Sequence, residues 1–134
     1  MTGPLIEFHL EGKSGLPPYQ QLVRQVRHAL RLGLLRQGDQ LPTVKDVVAQ
    51  LAINPNTVLK AYRELEHDGL VAARPGIGTF VTRSLTDGTL VAHGPLRQEL
   101  LRWLASARRA GLDDESIEAL FMTTFRTAAQ EDVA

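Results

Sequence analysis

Two helix-start signals stand close together in the middle of the chain, and a glycine-centred hairpin follows them. Thr43-Val44-Lys45-Asp46 has the form of a capping box, with Asp46 in place of glutamate. At Asn54-Pro55 an amide suited to capping precedes a proline, whose missing N–H does no harm at the first helical position. The helix opened by Thr43 buries Val47, Val48 and Leu51 and ends near Ala52, so the break before the next is only about three residues long. That next helix continues to near Asp68 and stops at Gly69, the residue type that accepts a left-handed conformation past a helix end. In such a unit a first helix packs with the second and holds the third away from the core, leaving its outer face free.

A candidate runs from Pro18 to Leu35, with Tyr19, Leu22, Val23, Val26, Leu30 and Leu34 forming one stripe at helical spacing and Gly38-Asp39 marking the stop. Beyond Gly69, Leu70–Ala73 and Thr79–Thr82 read as two short strands joined through Arg74-Pro75-Gly76-Ile77-Gly78. Ile6–Leu10 alternates apolar and polar residues, which suggests a further short strand. Residues 84–94 lack any period and read as a linker. Two more helices are expected, one over Pro95–Ala110 ended by Gly111, the other capped by Asp113. The fold class expected is α+β, mainly α: a winged helix-turn-helix over 1–83, the linker, and a two-helix hairpin over 95–134.

Composition narrows the function classes. With no cysteine among 134 residues, disulfides, a thiol nucleophile and thiolate metal sites are excluded. No apolar run is long enough to span a membrane, and Met1–Glu7 has no signal-peptide pattern, so the expectation is a soluble cytoplasmic protein. His9, His28, His67 and His93 have no ligand spacing, and no Ser/His/Asp arrangement is visible. Asp113-Asp114-Glu115 is the one carboxylate cluster, and it sits at a helix start, where negative charge is electrostatically favoured. Neither an enzyme nor a metal or cofactor site is expected. The net charge of zero divides into +3 for residues 1–85 and −3 for the rest. The basic part is the one that carries the helix pair.

At 100° per residue and with Val58 at zero, Val58, Ala61, Tyr62 and Leu65 cluster within about 60° of zero, while Asn56, Lys60, Arg63 and His67 fall on the opposite side, at about 140–200°. In a helix-turn-helix that outer side lies in the major groove. Asn54, Asn56 and Thr57 are the candidates for reading bases or entering the groove, since amides pair with adenine and threonine meets a thymine methyl. Lys60 and Arg63 suit phosphates, Lys45 would lie over the backbone, and Arg74, Gly76 and Gly78 bring the hairpin tip to a neighbouring phosphate or the minor groove. Other readings stand beside these. Asn54 serves equally as a helix cap, Gly76 and Gly78 as turn residues, and a polar outer face suits any surface helix or a protein-binding module.

The last two helices cannot bury both apolar sides against each other. Leu100, Trp103, Leu104, Leu120, Phe121 and Phe125 are therefore dimerisation candidates, because recognition helices work as symmetric pairs on two-fold sites. Packing within one chain is the alternative. So short a region lacks room for a roomy ligand cavity, leaving at most a small effector pocket near Trp103 and Arg102 at a dimer interface.

The order of Pro18-Tyr19-Gln20-Gln21-Leu22, Leu41-Pro42-Thr43-Val44-Lys45-Asp46, Asn54-Pro55-Asn56-Thr57-Val58, Ala61-Tyr62-Arg63-Glu64-Leu65-Glu66, Asp68-Gly69-Leu70-Val71 and Gly78-Thr79-Phe80-Val81 resembles that of GntR-family transcription regulators. The short two-helix tail is similar to that of the YtrA-like subfamily. The resemblance implies a homodimeric repressor on an inverted-repeat operator. It places Lys45 where relatives often carry a DNA-contacting arginine, Asn54, Asn56 and Thr57 at the groove-entering helix start, and Gly76 and Gly78 at the wing tip. Ile77 departs from the basic or polar residue common there.

Overall fold

A computed structural model of the chain describes residues 6–86 and 94–133. It contains α1 (Pro18–Arg31), α2 (Val44–Leu51), α3 (Pro55–His67), β1 (Val71–Arg74), β2 (Gly78–Val81), α4 (Gly94–Arg109) and α5 (Asp114–Val133). The chain divides into two compact units, the first holding α1 to β2 and the second holding α4 and α5.

In the first unit, α1 buries Leu22, Val23, Val26 and Leu30 as the stripe requires. The helix ends four residues before the expected Leu35, because Gly33 takes φ 74° and reverses the chain. The Leu34 N–H then donates back to the Ala29 carbonyl at 2.9 Å, satisfying one of the carbonyls left open at the helix end. Leu34, expected in the stripe, is consequently 63% exposed, and the fully buried Leu35 takes its place in the core.

Both expected caps form. The Thr43 hydroxyl accepts from the Asp46 N–H at 3.1 Å, and Asn54 Oδ1 accepts from the Asn56 N–H at 2.8 Å. On α2, Val47 is fully buried, whereas Val48 and Leu51 reach only the margin of the core. On α3, Val58, Ala61, Tyr62 and Leu65 are all buried, the side expected to face inward. The Tyr62 hydroxyl donates to the Pro42 carbonyl at 2.6 Å within the interior.

The wing strands are antiparallel, with Val71 opposite Val81 and Arg74 opposite Gly78. Each lies one residue away from its expected bounds, although Thr82 N–H still donates to the Leu70 carbonyl at 2.9 Å. The free edge of β2 is taken by residues 38–41. Gly38 N–H donates to Val81 C=O and Val81 N–H to Asp39 C=O, both at 2.8 Å, and Leu41 N–H donates to Thr79 C=O at 2.9 Å. Gly38-Asp39, read as a helix stop, thus begins an extended piece bridged to β2 through Gln40 and Phe80.

The strand expected over Ile6–Leu10 does not form. Its backbone is satisfied by side chains of α1: the Gln25 amide pairs with both N–H and C=O of His9 at 3.1 and 2.7 Å, and Gln21 does the same for Glu11 at 2.8 and 3.1 Å. Phe8, just before them, is buried. Alternation marked a half-buried extended chain correctly, but a helix rather than a sheet supplies its partners.

In the second unit, Gly111 at φ 92° ends α4, and Asp113 caps α5 by accepting from the Ser116 N–H at 2.8 Å. The Ser116 hydroxyl and N–H together hold the Asp113 carboxyl below the usual carboxylate range. Of the described residues in α4 and α5, only Ala107 and Ile117 are buried. The expected linker falls largely on 87–93, outside the described residues, as does His93. Among the described residues no helix is long and apolar enough to cross a membrane, and no three His, Asp or Glu side chains gather as metal ligands.

Burial, and after it the Asp46 carboxylate, raises the Tyr62 phenol above its ordinary range. Because the folded state holds this proton more tightly than the unfolded chain, the contribution is complete below the ordinary phenol pKa of about 10 and is lost as pH rises above it. Tyr62→Phe leaves the Pro42 carbonyl without its donor and is expected to lower unfolding free energy by about 1–2 kcal/mol at pH 7. In urea titrations the variant will also lose less stability than wild type between pH 9 and about 11.

Candidate nucleic-acid interface

With its inner side sealed, α3 presents Asn56, Lys60, Arg63 and His67 outward, all exposed, and Thr57 half-buried beside them. This is the face expected from the helical angles. Asn54 stands at the N-cap. Its Oδ1 is committed to the Asn56 N–H, which leaves the amide nitrogen as the group open to a ligand. Lys45 lies exposed in the first turn of α2.

Two acids at the C-terminal end of α3 are drawn into the fold, while Glu64 stays exposed at the border of the outer face. Glu66 Oε2 accepts from the Ala73 N–H at 2.8 Å, fastening α3 to β1. Asp68, the residue after α3, pairs with Arg27 of α1. Neither Lys60 nor Arg63 has a carboxylate partner among the described residues. Their charge is therefore available to an anion. Lys60 Nζ instead sits 4.0 Å from the centroid of the Tyr19 ring, a cation–π contact between α3 and α1.

At the wing, Ile77 N–H donates to Arg74 C=O at 2.9 Å across Pro75-Gly76. Pro75 sits at the second position of this turn and Gly76, with φ 76°, at the third, the arrangement of a type II turn. Gly78 follows at φ 146°, and Gln40 Nε2 stands 2.4 Å from where a Cβ on it would lie. The same Gln40 amide donates to the Ile77 carbonyl at 3.3 Å, so the tip leans on the strand-like segment behind it. The Arg74 guanidinium rests 4.8 Å from the Phe80 ring centroid, and Ile77 projects 65% exposed.

The candidate residues thus form three sets: Asn54, Asn56, Thr57, Lys60 and Arg63 along α3, Lys45 at the start of α2, and Arg74, Gly76 and Gly78 at the wing. Sequence reasoning missed Tyr19 and Gln40. Tyr19 was read as one more apolar residue of the stripe, and nothing local to Gln40 indicates that it abuts a glycine far along the chain.

Three helices with a hairpin directly after the third, carrying a cationic outer face, define the winged helix-turn-helix class. Residues 18–81 match the family described as bacterial regulatory proteins, gntR family. The HTH-type transcriptional repressor YtrA of Bacillus subtilis is 30% identical over 112 residues, covering 81% of this chain and 84% of the relative. Among solved structures, YtrA from Sulfolobus acidocaldarius, a GntR-family transcription factor, aligns at 26% identity and TM-score 0.53 over 73% of this chain and 97% of that one. The DNA-binding domain of AraR in complex with operator ORX1 aligns at 26% identity and TM-score 0.51 over 57% and 96%. The chain belongs to the GntR family of bacterial regulatory proteins and is YtrA-like. It is a DNA-binding transcription regulator and not an enzyme.

The two wing glycines differ in what they tolerate. Gly78→Ala puts a side chain on a backbone conformation reserved for glycine, displaces the flexible end of Gln40, and is expected to lower stability by about 1–3 kcal/mol, most of it from the backbone. Gly76→Ala meets nothing within 4 Å and should lose less. Thermal unfolding of both variants checks the order.

Proposed function

We propose that the protein represses transcription as a homodimer, each copy laying the start of α3 in the major groove of one half of an inverted-repeat operator. The observation that carries this reading is the outer face of α3, cationic and without carboxylate partners on Lys60 or Arg63 among the described residues. Asn56 and Thr57 read bases, with the Asn54 amide nitrogen beside them, while Lys60, Arg63 and Lys45 hold phosphates. The wing contributes Arg74 and the backbone at Gly76 and Gly78. Repression is the activity named for the Bacillus subtilis relative. Residues 1–83 are the DNA-binding part, 95–134 the dimerising part, and 84–94 the link.

A second copy is called for by the apolar surface of α4 and α5. Leu100, Leu120, Phe121 and Phe125 are exposed, and Trp103 and Leu104 are half-buried. Phe121 lies between Trp103 and Phe125, at ring-centroid distances of 6.3 and 6.0 Å. Leu100, Trp103, Leu120, Phe121 and Phe125 line a groove of about 370 Å³ shaped to receive a partner's side chains. The same groove, with Thr124 as its hydroxyl, is where a small apolar effector would meet the interface; Arg102 does not line it.

Lys60→Ala should weaken binding to all sequences and reduce the slope of log affinity against log salt by about 0.9. Asn56→Ala should relax discrimination at one base position by about 1–3 kcal/mol. If both bind every duplex as wild type does, α3 does not enter the groove by this face. Separately, the pair Leu120→Asp and Phe121→Asp should give a monomer in sedimentation velocity, with operator affinity reduced by about a hundredfold or more. A dimer that persists would place the interface elsewhere.

A further inference from the structure

We infer that Tyr19 is a positioning residue for DNA binding, its ring steering the Lys60 ammonium toward the phosphate without neutralising it. Lys60 is exposed and lies one turn beyond Asn56 on the outer face of α3. An unguided lysine stem at such a site samples many rotamers, all but a few of which must be given up when it meets a phosphate. Here the Nζ is already placed, 4.0 Å above the Tyr19 ring.

The ring is itself a fixed post. Tyr19 is the second residue of α1, it packs against the core shared with α3, and its hydroxyl accepts from Gln20 Nε2 at 3.1 Å. A carboxylate would hold a lysine too, but it would cancel the charge that a phosphate needs. The face of an aromatic ring attracts the cation through its quadrupole and leaves the full charge in place. One side of the ammonium meets the ring while its remaining N–H donors stay open. Of the nearby acids, Glu66 and Asp68 are occupied by Ala73 N–H and Arg27, and the exposed Glu64, one turn beyond Lys60, forms no ion pair with it.

This inference rests on the proposed contact between Lys60 and DNA, and the test separates the two. The full chain is titrated with a fluorescein-labelled duplex of random sequence, about 30 base pairs long, at low and intermediate salt. Position 19 carries Tyr, Phe, a series of ring-fluorinated phenylalanines, or Leu, each with Lys60 or with Lys60→Ala. Tyr19→Phe should bind as wild type does. Stepwise fluorination, which drains the ring's negative face while keeping its shape, should weaken binding stepwise to about two- to fivefold, and Tyr19→Leu should match that end point.

With Lys60→Ala the whole series should collapse to one affinity. If fluorination leaves affinity unchanged, or weakens binding equally with and without Lys60, Tyr19 does not position the lysine and the inference fails. If Lys60→Ala alone changes neither affinity nor salt slope, the phosphate contact itself fails. Should Tyr19→Leu unfold, the fluorinated series, which preserves packing, decides the matter.

Discussion

The Tyr62 hydroxyl, donating at 2.6 Å to the Pro42 carbonyl inside the core, joins the middle of α3 to the turn that leads into α2. Val58, Ala61 and Leu65 are fully buried along the same side, so the rotation of α3 about its own axis is determined by packing. Slipping the helix by one residue would turn it by about 100° and bring polar side chains inward. The outer face is therefore a consequence of the inner one. Lys60 and Arg63 point outward because four apolar positions leave them no other direction.

Electrostatics follow the same economy of placement. The acids nearest the end of α3 are spent on structure, one on a backbone N–H of β1 and one on Arg27, and the cations of the outer face are left with a ring or with solvent. The wing obeys a similar rule. Its tip is set by a proline-glycine turn and by the close approach of Gln40 to Gly78, so that its position depends on the segment following α1 as much as on its own two strands.

Much of this was legible along the chain because it is local. Helical angles separated the two faces of α3, and Thr43 and Asn54 announced the caps that form. The chemistry of Pro75-Gly76 placed the hairpin to within one residue. The features that escaped are those in which distant pieces choose each other. Gly33 and Gly38 are equally good helix stops by residue type, and only the burial of Leu35 in place of Leu34 decides between them. The alternation of Ile6–Leu10 records a half-buried extended chain, but no local pattern reveals that Gln21 and Gln25 replace a neighbouring strand. The pairing of residues 38–41 with β2, and the meeting of Tyr19 with Lys60, are likewise set by the packing of α1 against α3. Within the candidate site, membership of the α3 face was readable, whereas what holds each member in place was not.

Selection of genomic DNA fragments by the purified protein, at about 150 mM salt where non-specific contacts are weakened, tests the central claim most directly. A face of α3 set by its packing and presented twice by a dimer predicts enrichment of one short inverted repeat, its half-sites separated by about one helical turn or a multiple of it. Recovery of fragments that share no motif, or of a single unrepeated site, would contradict the account.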